Sequence, residues 1–193
     1  MTNLTEAPQP VRVFPVLTTQ RLLLREFSPE DVPGVYEILS REDVNTYLET
    51  DTLKFIEEAE TRVRGRTNLF YDKMGFRWAI TLRETPGKLI GSCGFFSVRR
   101  GTQTMEMGYE LHPVFWGKGI MSEALRAMID FAFGPQDLLP VHRMEAIVMP
   151  DNIASIRVLE KLGFALEGVR REFGFWKGRY QDVYLFALLN SKK

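Results

Sequence analysis

The spacing of apolar side chains predicts a chain of alternating strands and helices. In about seven segments, apolar residues alternate with polar ones or form short runs, and both patterns are typical of strands. These predicted strands cover residues 21–27, 76–83, 89–98, 104–112, 143–149, 164–172 and 180–188. Apolar stripes or runs of helix-forming residues predict helices over about 28–40, 53–68, 122–133 and 152–162.

Residues with special backbone preferences mark the ends of several elements. Ser28 can cap a helix whose first position is occupied by Pro29. Asp151 or Asn152 can cap the last predicted helix in the same way. Gly163 follows that helix and suits the left-handed conformation in which many helices end.

The order of the elements predicts the fold class. One strand and two helices precede three consecutive strands, the first two joined by a predicted turn at Thr85–Lys88, and these strands form an antiparallel meander. A strand–helix–strand segment then adds parallel pairing. We therefore expect an α+β domain over residues 18–190, with a mixed, mostly antiparallel central sheet flanked by helices. Residues 1–17 contain three prolines and are predicted to be a tail or an extended lead-in.

Composition and charge narrow the function class. The chain has 193 residues, of which 45% are hydrophobic, enough for one domain with a substantial core. Its 25 basic and 25 acidic side chains cancel, and no long basic run is present, so we expect no direct contact with nucleic acid. One cysteine and two histidines predict no disulfide and no metal site. Neither a signal segment nor a membrane span is predicted, and we expect a cytoplasmic protein.

The clearest chemical signal lies between the predicted strand 104–112 and the predicted helix 122–133. Gly117-Lys118-Gly119 opens that helix, whose first backbone N–H groups lack helical partners and carry partial positive charge. Glycines there let a phosphate approach the backbone closely. The spacing fits neither the phosphate loop of nucleoside triphosphatases nor the dinucleotide fingerprint. The turn predicts a phosphate or pyrophosphate ligand, although on position alone the glycines could equally serve only to turn the chain.

Two segments, in this order along the chain, resemble the GNAT superfamily of N-acetyltransferases. The cofactor loop of that family reads Gln or Arg, two residues, Gly, one residue, then Gly or Ala, and here this frame falls on Trp116–Met121. Gly119 matches the central glycine, whereas Trp116 and Met121 depart from the consensus, and Met121 is expected to narrow the space beside the pyrophosphate. Residues 151–164 resemble the family's Asn-x-x-Ser helix that ends in Gly-Phe.

The resemblance covers residues 18–188 and implies the fold and the cofactor. It implies the GNAT fold, with acetyl-CoA or coenzyme A as co-substrate and no metal. Asn152 is expected on the pantetheine arm and Ser155 near the thiol. The residues expected to bind the cofactor are Leu111, His112, Trp116, Gly117, Lys118, Gly119, Ile120, Met121, Ser122, Asn152 and Ser155.

Residues 18–25 and 178–183 resemble the two ends of one branch, the bacterial ribosomal-protein N-terminal acetyltransferases that modify alanine or serine. The resemblance implies transfer of an acetyl group to a primary amine, such as the N-terminus of a ribosomal or other protein. A small-molecule amine, such as a polyamine, an amino acid or an antibiotic, is an alternative substrate. A coenzyme A-binding module with little catalysis is a second alternative, and both a monomer and a homodimer stay open.

Catalysis by direct transfer needs a base for the amine and a proton donor for the departing thiolate. Glu106 and Glu110 lie at even spacing on one predicted strand, hence on the same face unless a bulge intervenes. Glu110 is favoured as the base because it is nearest the glycine turn, and Glu172 is a third candidate; the strand carboxylates could instead be solvated or paired with arginines. Many family members place a tyrosine donor where this chain has Leu159, so the resemblance assigns that role to Ser155, as in the ribosomal-protein branch.

Overall fold

The computed structural model describes residues 13–135 and 140–191, which form one eight-stranded sheet and five helices. The strands are β1 Leu17–Thr18, β2 Leu22–Arg25, β3 Phe76–Leu82, β4 Thr85–Arg99, β5 Thr104–Leu111, β6 Arg143–Val148, β7 Ala165–Trp176 and β8 Arg179–Leu189. The helices are α1 Val32–Leu39, α2 Glu42–Asn45, α3 Ile56–Tyr71, α4 Ile120–Phe133 and α5 Ile153–Lys161. Most of the predicted lead-in, residues 1–12, lies outside the described residues.

The strand order is β1-β2-β3-β4-β5-β6-β8-β7, and within the described residues every neighbouring pair is antiparallel except β5 and β6. This arrangement confirms the predicted α+β class and the mixed, mostly antiparallel sheet. The sequence pattern predicts seven of the strands. The eighth, β1, has only two residues and therefore shows no period, and it pairs with β2 at the edge of the sheet.

The β3–β4 hairpin turns earlier than the sequence predicts. The tight turn is at Arg83–Glu84, and Leu82 pairs with Thr85 across it. The predicted turn at Thr85–Lys88 is therefore wrong by three residues, and residues 86–88 form an irregularity within β4 instead. Proline has no N–H for a ladder hydrogen bond and is tolerated at such an irregularity.

Helix ends follow the predicted capping residues. Ser28 and Pro29 open a 3₁₀ turn, Pro29–Asp31, that leads directly into α1. Asn152 caps α5, with its side-chain oxygen accepting a hydrogen bond from the Ser155 N–H. Gly163 follows α5 with a φ of 90°, the positive value for which glycine is suited.

Helices cover both faces of the sheet. On β3, Ala79 belongs to a buried cluster formed with residues of α1, α2 and α3. Its neighbours Trp78 and Ile80 point to the opposite face and belong to a larger cluster with α4 and α5. The sheet is therefore the middle of three layers, with α1–α3 on one side and α4–α5 on the other.

The end of the predicted lead-in packs against the domain. Phe14 is buried and its ring lies 5.2 Å from that of Phe70 and 5.7 Å from that of Trp78, centroid to centroid. The Trp78 indole N–H donates to the Pro15 carbonyl at 2.7 Å. These contacts belong to the main core, so the folded region begins a few residues before the predicted boundary at residue 18.

One feature of the sheet creates space for a ligand. The parallel strands β5 and β6 pair along three residues each, Thr104–Glu106 with Arg143–Glu145, and then separate. Beyond that point, β5 continues to pair with β4 without a register shift as far as Leu111. No bulge therefore interrupts the pairing of this segment with β4. The two strands leave an opening that runs through the sheet from one helical layer to the other.

Candidate active site

Two cavities meet at the opening between β5 and β6. The first, which we call the glycine-turn cavity, has a volume of about 460 Å³ and is bounded by the glycine turn, the start of α4 and the start of α5. The second, the carboxylate cavity, has a volume of about 530 Å³ and lies against α3 and the segment that precedes it. Six residues line both cavities, and we call them the junction: Tyr47, Leu48, Tyr109, Glu110, Asn152 and Ser155.

The glycine turn has a backbone conformation that favours glycine. Gly117 and Gly119 have φ angles of 71° and 72°, values that other residues adopt only with strain. Nothing lies within 4 Å of a Cβ built on Gly117, and a Cβ on Gly119 would meet only the Arg21 guanidinium at 3.7 Å. The conformation, rather than a lack of room, therefore requires glycine. Both glycines line the glycine-turn cavity, at the N-terminus of the 14-residue helix α4.

A clamp from the N-terminal segment holds this turn. The Glu123 carboxylate, in the first turn of α4, accepts hydrogen bonds from the Thr19 hydroxyl and from the backbone N–H of Arg21, the latter at 2.9 Å. The Arg21 guanidinium donates to Glu123 at 2.7 Å and to the Lys118 carbonyl at 3.0 Å. Burial alone would raise the pKa of Glu123, but these hydrogen bonds outweigh it and hold the pKa below its ordinary value.

Trp116 and Met121, the two departures from the family consensus, have structural roles beside the cavity. The Trp116 indole N–H donates to the Leu111 carbonyl at 2.8 Å and ties the turn back to the end of β5. The Met121 side chain is buried and belongs to the main core. Met121 lines the glycine-turn cavity, but the cavity stays open beside it.

The structure brings most, though not all, of the predicted cofactor residues to one cavity. The residues that line it are Leu111, Trp116, Gly117, Gly119, Ile120, Met121, Ser122, Asn152 and Ser155. His112 does not line it, because its ring accepts the Val114 N–H at 3.3 Å and lies 3.2 Å from the Glu37 carboxylate. The Lys118 side chain is exposed, with its ammonium over the Phe115 ring.

Of the predicted carboxylates, Glu106 has the environment of a base. It lines the carboxylate cavity together with Glu49, a residue that carries no signal in the sequence. Burial raises the pKa of Glu106, an effect that the positive charge of Arg99 opposes and the negative charge of Glu145 reinforces. Burial also raises the pKa of Glu49, with a further contribution from Glu106. A carboxylate with a raised pKa is a better proton acceptor near neutral pH.

Glu110, the carboxylate that the sequence favours, is instead held in a buried ion network. Arg66 of α3 lies 2.8 Å from one carboxylate oxygen, and Arg77 of β3 and the Ser92 hydroxyl also bond to this carboxylate. Burial raises the pKa of Glu110, but the two guanidiniums and the hydroxyl outweigh it and the pKa is lowered. Glu110 does lie on the same face as Glu106, as the even spacing predicts, but its geometry favours a structural role over that of a base.

Glu172 and the single cysteine, Cys93, lie away from the junction. Glu172 is exposed on β7, has a positive φ of 49° and lines neither cavity, so it has no geometry for the base. Cys93 is buried on β4, and burial raises the pKa of its thiol to about 12, which makes it unreactive. Within residues 13–135 and 140–191, no group of three or more His, Cys, Asp and Glu side chains could hold a metal ion. In the same ranges, no helix is long and apolar enough to span a bilayer.

The family model described as an acetyltransferase (GNAT) domain matches residues 21–165. The chain belongs to the GNAT acetyltransferase family. This membership confirms the predicted fold and the enzyme class, an acetyl-CoA-dependent N-acetyltransferase.

Three similar proteins illustrate the range of relatives of this GNAT protein. It is 32% identical over 181 residues to the uncharacterized N-acetyltransferase YoaA of Bacillus subtilis (strain 168), a match that covers 94% of this chain and 100% of YoaA. It is 35% identical over 102 residues to the ribosomal protein uS5-alanine N-acetyltransferase of Escherichia coli (strain K12), covering 52% of this chain and 51% of that protein. RimL, a ribosomal L7/L12 alpha-N-protein acetyltransferase solved with coenzyme A, has a TM-score of 0.82 at 22% identity, covering 93% of this chain and 100% of RimL. That identity supports the fold alone.

Replacing Glu110 tests its structural role. We expect Glu110→Gln to lower the free energy of unfolding at pH 7 by about 3–5 kcal/mol, because it leaves two buried guanidiniums without their anion. The lowered pKa of Glu110 means that its stabilisation is complete above the unfolded-state pKa of about 4.3 and is lost as the pH falls through the folded-state value. The difference between wild type and variant in urea unfolding should therefore shrink below about pH 4. Glu60→Gln, at an exposed position of α3, is the control, and equal stability of the two variants would contradict the role.

Proposed function

We propose that this GNAT protein binds acetyl-CoA in the glycine-turn cavity and transfers the acetyl group to the N-terminal amine of a protein in the carboxylate cavity. The observation that carries the proposal is the meeting of the two cavities at the junction. Direct transfer requires the thioester and the amine to approach from different sides, and the opening between β5 and β6 supplies such a passage.

The glycine turn fits the pyrophosphate of coenzyme A. The turn places backbone N–H groups and the positive end of the α4 dipole against the cavity, which suits an anion. Arg157 and Lys161, one turn apart on α5, line the same cavity and add positive charge for phosphate groups. The Arg21–Glu123 clamp fixes the turn, so little order has to be gained on binding.

Glu106 is the base in this proposal, acting directly or through a water molecule. It lies in the carboxylate cavity, and its raised pKa suits the acceptance of a proton from the attacking amine. Ser155 lies at the junction, on the first turn of α5, where Asn152 fixes its backbone. We assign Ser155 to the thiol end of acetyl-CoA, as the resemblance implies, and Asn152 to the pantetheine arm.

A protein N-terminus is the proposed substrate because of the relatives and the shape of the cavity. A related protein is named a ribosomal protein uS5-alanine N-acetyltransferase. The carboxylate cavity, of about 530 Å³, can hold the first residues of a peptide. Arg62, Arg66 and Arg77 also line it, but Arg66 and Arg77 are paired with Glu110, so Glu49 and Glu106 are the carboxylates left for a cationic amine. A small-molecule amine is the second candidate, since the same two carboxylates would attract a polyamine.

The substrate class is tested with a panel of amines and a thiol-release assay with acetyl-CoA. We expect turnover with peptides that begin with alanine or serine, and none with the same peptides blocked at the N-terminus but carrying an internal lysine. Faster turnover of spermidine or a free amino acid than of any peptide would favour the small-amine alternative. Tight binding of coenzyme A without turnover of any amine would reject the transferase and favour a binding module.

The proposed pyrophosphate site is tested by Gly119→Val. A β-branched residue at a φ of 72° adds strain of about 1–3 kcal/mol and shifts the backbone N–H groups, so the Kd for coenzyme A should rise about tenfold or more. Gly178→Val is the matched control, because Gly178 has a φ of 75°, open space around it and a position in the β7–β8 turn. Calorimetric titration with coenzyme A measures both, and an unchanged Kd for Gly119→Val would remove the basis of the site.

The proposed base is tested by Glu106→Gln. Glu106 must be ionised to accept a proton, and its pKa is raised. The kcat of the wild type should therefore decrease as the pH is lowered, with a midpoint above about 4.3, the ordinary pKa of glutamate. We expect Glu106→Gln to lower kcat by about a hundredfold or more and to abolish this acid limb. Glu60→Gln, on the exposed face of α3, should behave as the wild type. A Glu106→Gln profile that keeps the acid limb would exclude Glu106 as the base.

A further inference from the structure

The hydroxyl of Tyr109 lies at the junction and has no role in the function proposed above. Tyr109 lies on β5, past the last residue that pairs with β6, and its hydroxyl reaches Ser155 of α5. Its hydroxyl donates to the backbone carbonyl of Ser155 at 3.5 Å, a long and therefore weak hydrogen bond. The hydroxyl is held next to Ser155 but is free to turn to a better acceptor.

Other junction residues are less suited to stabilise negative charge at this point. The Glu110 carboxylate is an anion already bonded to Arg66 and Arg77. The Asn152 side chain caps α5 through its oxygen and is assigned to the pantetheine arm, and Leu48 has no polar side-chain atom. Tyr47 lines both cavities but is 38% exposed, so that water competes for its hydroxyl.

We propose that Tyr109 is a catalytic residue whose hydroxyl donates a hydrogen bond to the sulfur of coenzyme A as the acetyl group leaves. The inference rests on the proposed acetyl transfer and adds a donor to the one that Ser155 supplies. Two observations carry it: Tyr109 lines both cavities at their meeting point, and its hydroxyl lies beside Ser155, the residue assigned to the thiol end.

The ionisation of Tyr109 suits a hydrogen-bond donor that keeps its proton. Burial raises its pKa to about 12, although hydrogen bonding to the Ser155 side chain acts in the opposite direction. The phenol therefore stays protonated throughout the neutral pH range. Because an ordinary thiol has a pKa of about 8.5, the phenol stabilises a thiolate by a hydrogen bond without transferring its proton to it.

The bonds and protons of the acetyl transfer balance when Tyr109 acts only as a hydrogen-bond donor. The amine nitrogen forms a bond to the acetyl carbonyl carbon, and the carbon–sulfur bond breaks with its electron pair going to sulfur. The proton released by nitrogen goes to the Glu106 carboxylate, and the thiolate takes up a proton from water after it leaves. Tyr109 and Ser155 hold the sulfur while its negative charge develops, and neither is consumed.

Tyr109→Phe tests the inference, because it removes only the hydroxyl. We expect kcat, measured in single-turnover reactions with the amine that the wild type uses best, to fall about a hundredfold, the usual effect of losing one such donor. The Kd for coenzyme A and the melting temperature should stay near wild-type values. Tyr36→Phe is the matched control, since the Tyr36 hydroxyl also donates to a backbone carbonyl, that of Lys54 at 3.1 Å, outside both cavities.

The outcomes separate this inference from the proposed function. An active wild type with an equally active Tyr109→Phe variant would overturn the role of Tyr109 and leave the transferase intact. A wild type that acetylates no amine would overturn both. If Tyr109→Phe is unstable, 3-fluorotyrosine at position 109 keeps the shape and lowers the phenol pKa. The loss of activity at high pH should then begin at a lower pH than in the wild type. A loss that begins at the same pH in both proteins would reject the role of Tyr109.

Discussion

The buried ion network around Glu110 is the interaction on which the site depends. β5 loses its partner β6 after Glu106 and from there to Leu111 pairs only with β4. Arg66 from α3 and Arg77 from β3 bond to Glu110 near the free end of β5 and fix it against both elements. Gly117 follows Leu111 by six residues, and the Trp116 indole ties the turn to the Leu111 carbonyl, so the position of the proposed cofactor site follows from this anchor.

Environment, rather than residue type, separates the roles of three glutamates close to the cavities. Glu110 is paired with guanidiniums, and its lowered pKa makes it an anchor. Glu106 is partly buried among mixed charges, and its raised pKa makes it the proposed base. Glu123 accepts hydrogen bonds from the N-terminal segment and holds the glycine turn. Three residues with the same side chain therefore have three different roles, in the fold, in the proposed chemistry and at the proposed cofactor site.

The clamp brings the segment around Arg21 to the glycine turn although the two are remote in sequence. Arg21 bonds to the Lys118 carbonyl and to Glu123, and Trp116 bonds to the end of β5. Hydrogen bonds from both sides thus fix a turn that contains two positive φ angles. Because the turn is already ordered, a ligand does not have to order it on binding. Side chains around the turn can differ from the family consensus as long as this backbone geometry is kept.

Local patterns in the sequence were enough to predict the fold class, seven strands, a helix capped at Asp151 or Asn152 and the glycine turn, because periodicity, capping and positive-φ positions are local properties. They also placed Glu106 and Glu110 on one face, since strand alternation is local. Which of the two could serve as a base depends on tertiary contacts, because Arg66 and Arg77 reach Glu110 from other elements. The position of Tyr109 at both cavities likewise follows from the separation of β5 and β6, a pairing between segments distant in the chain that no local pattern encodes. Glu49 reaches the carboxylate cavity from the segment between α2 and α3, which is equally distant in sequence from Glu106.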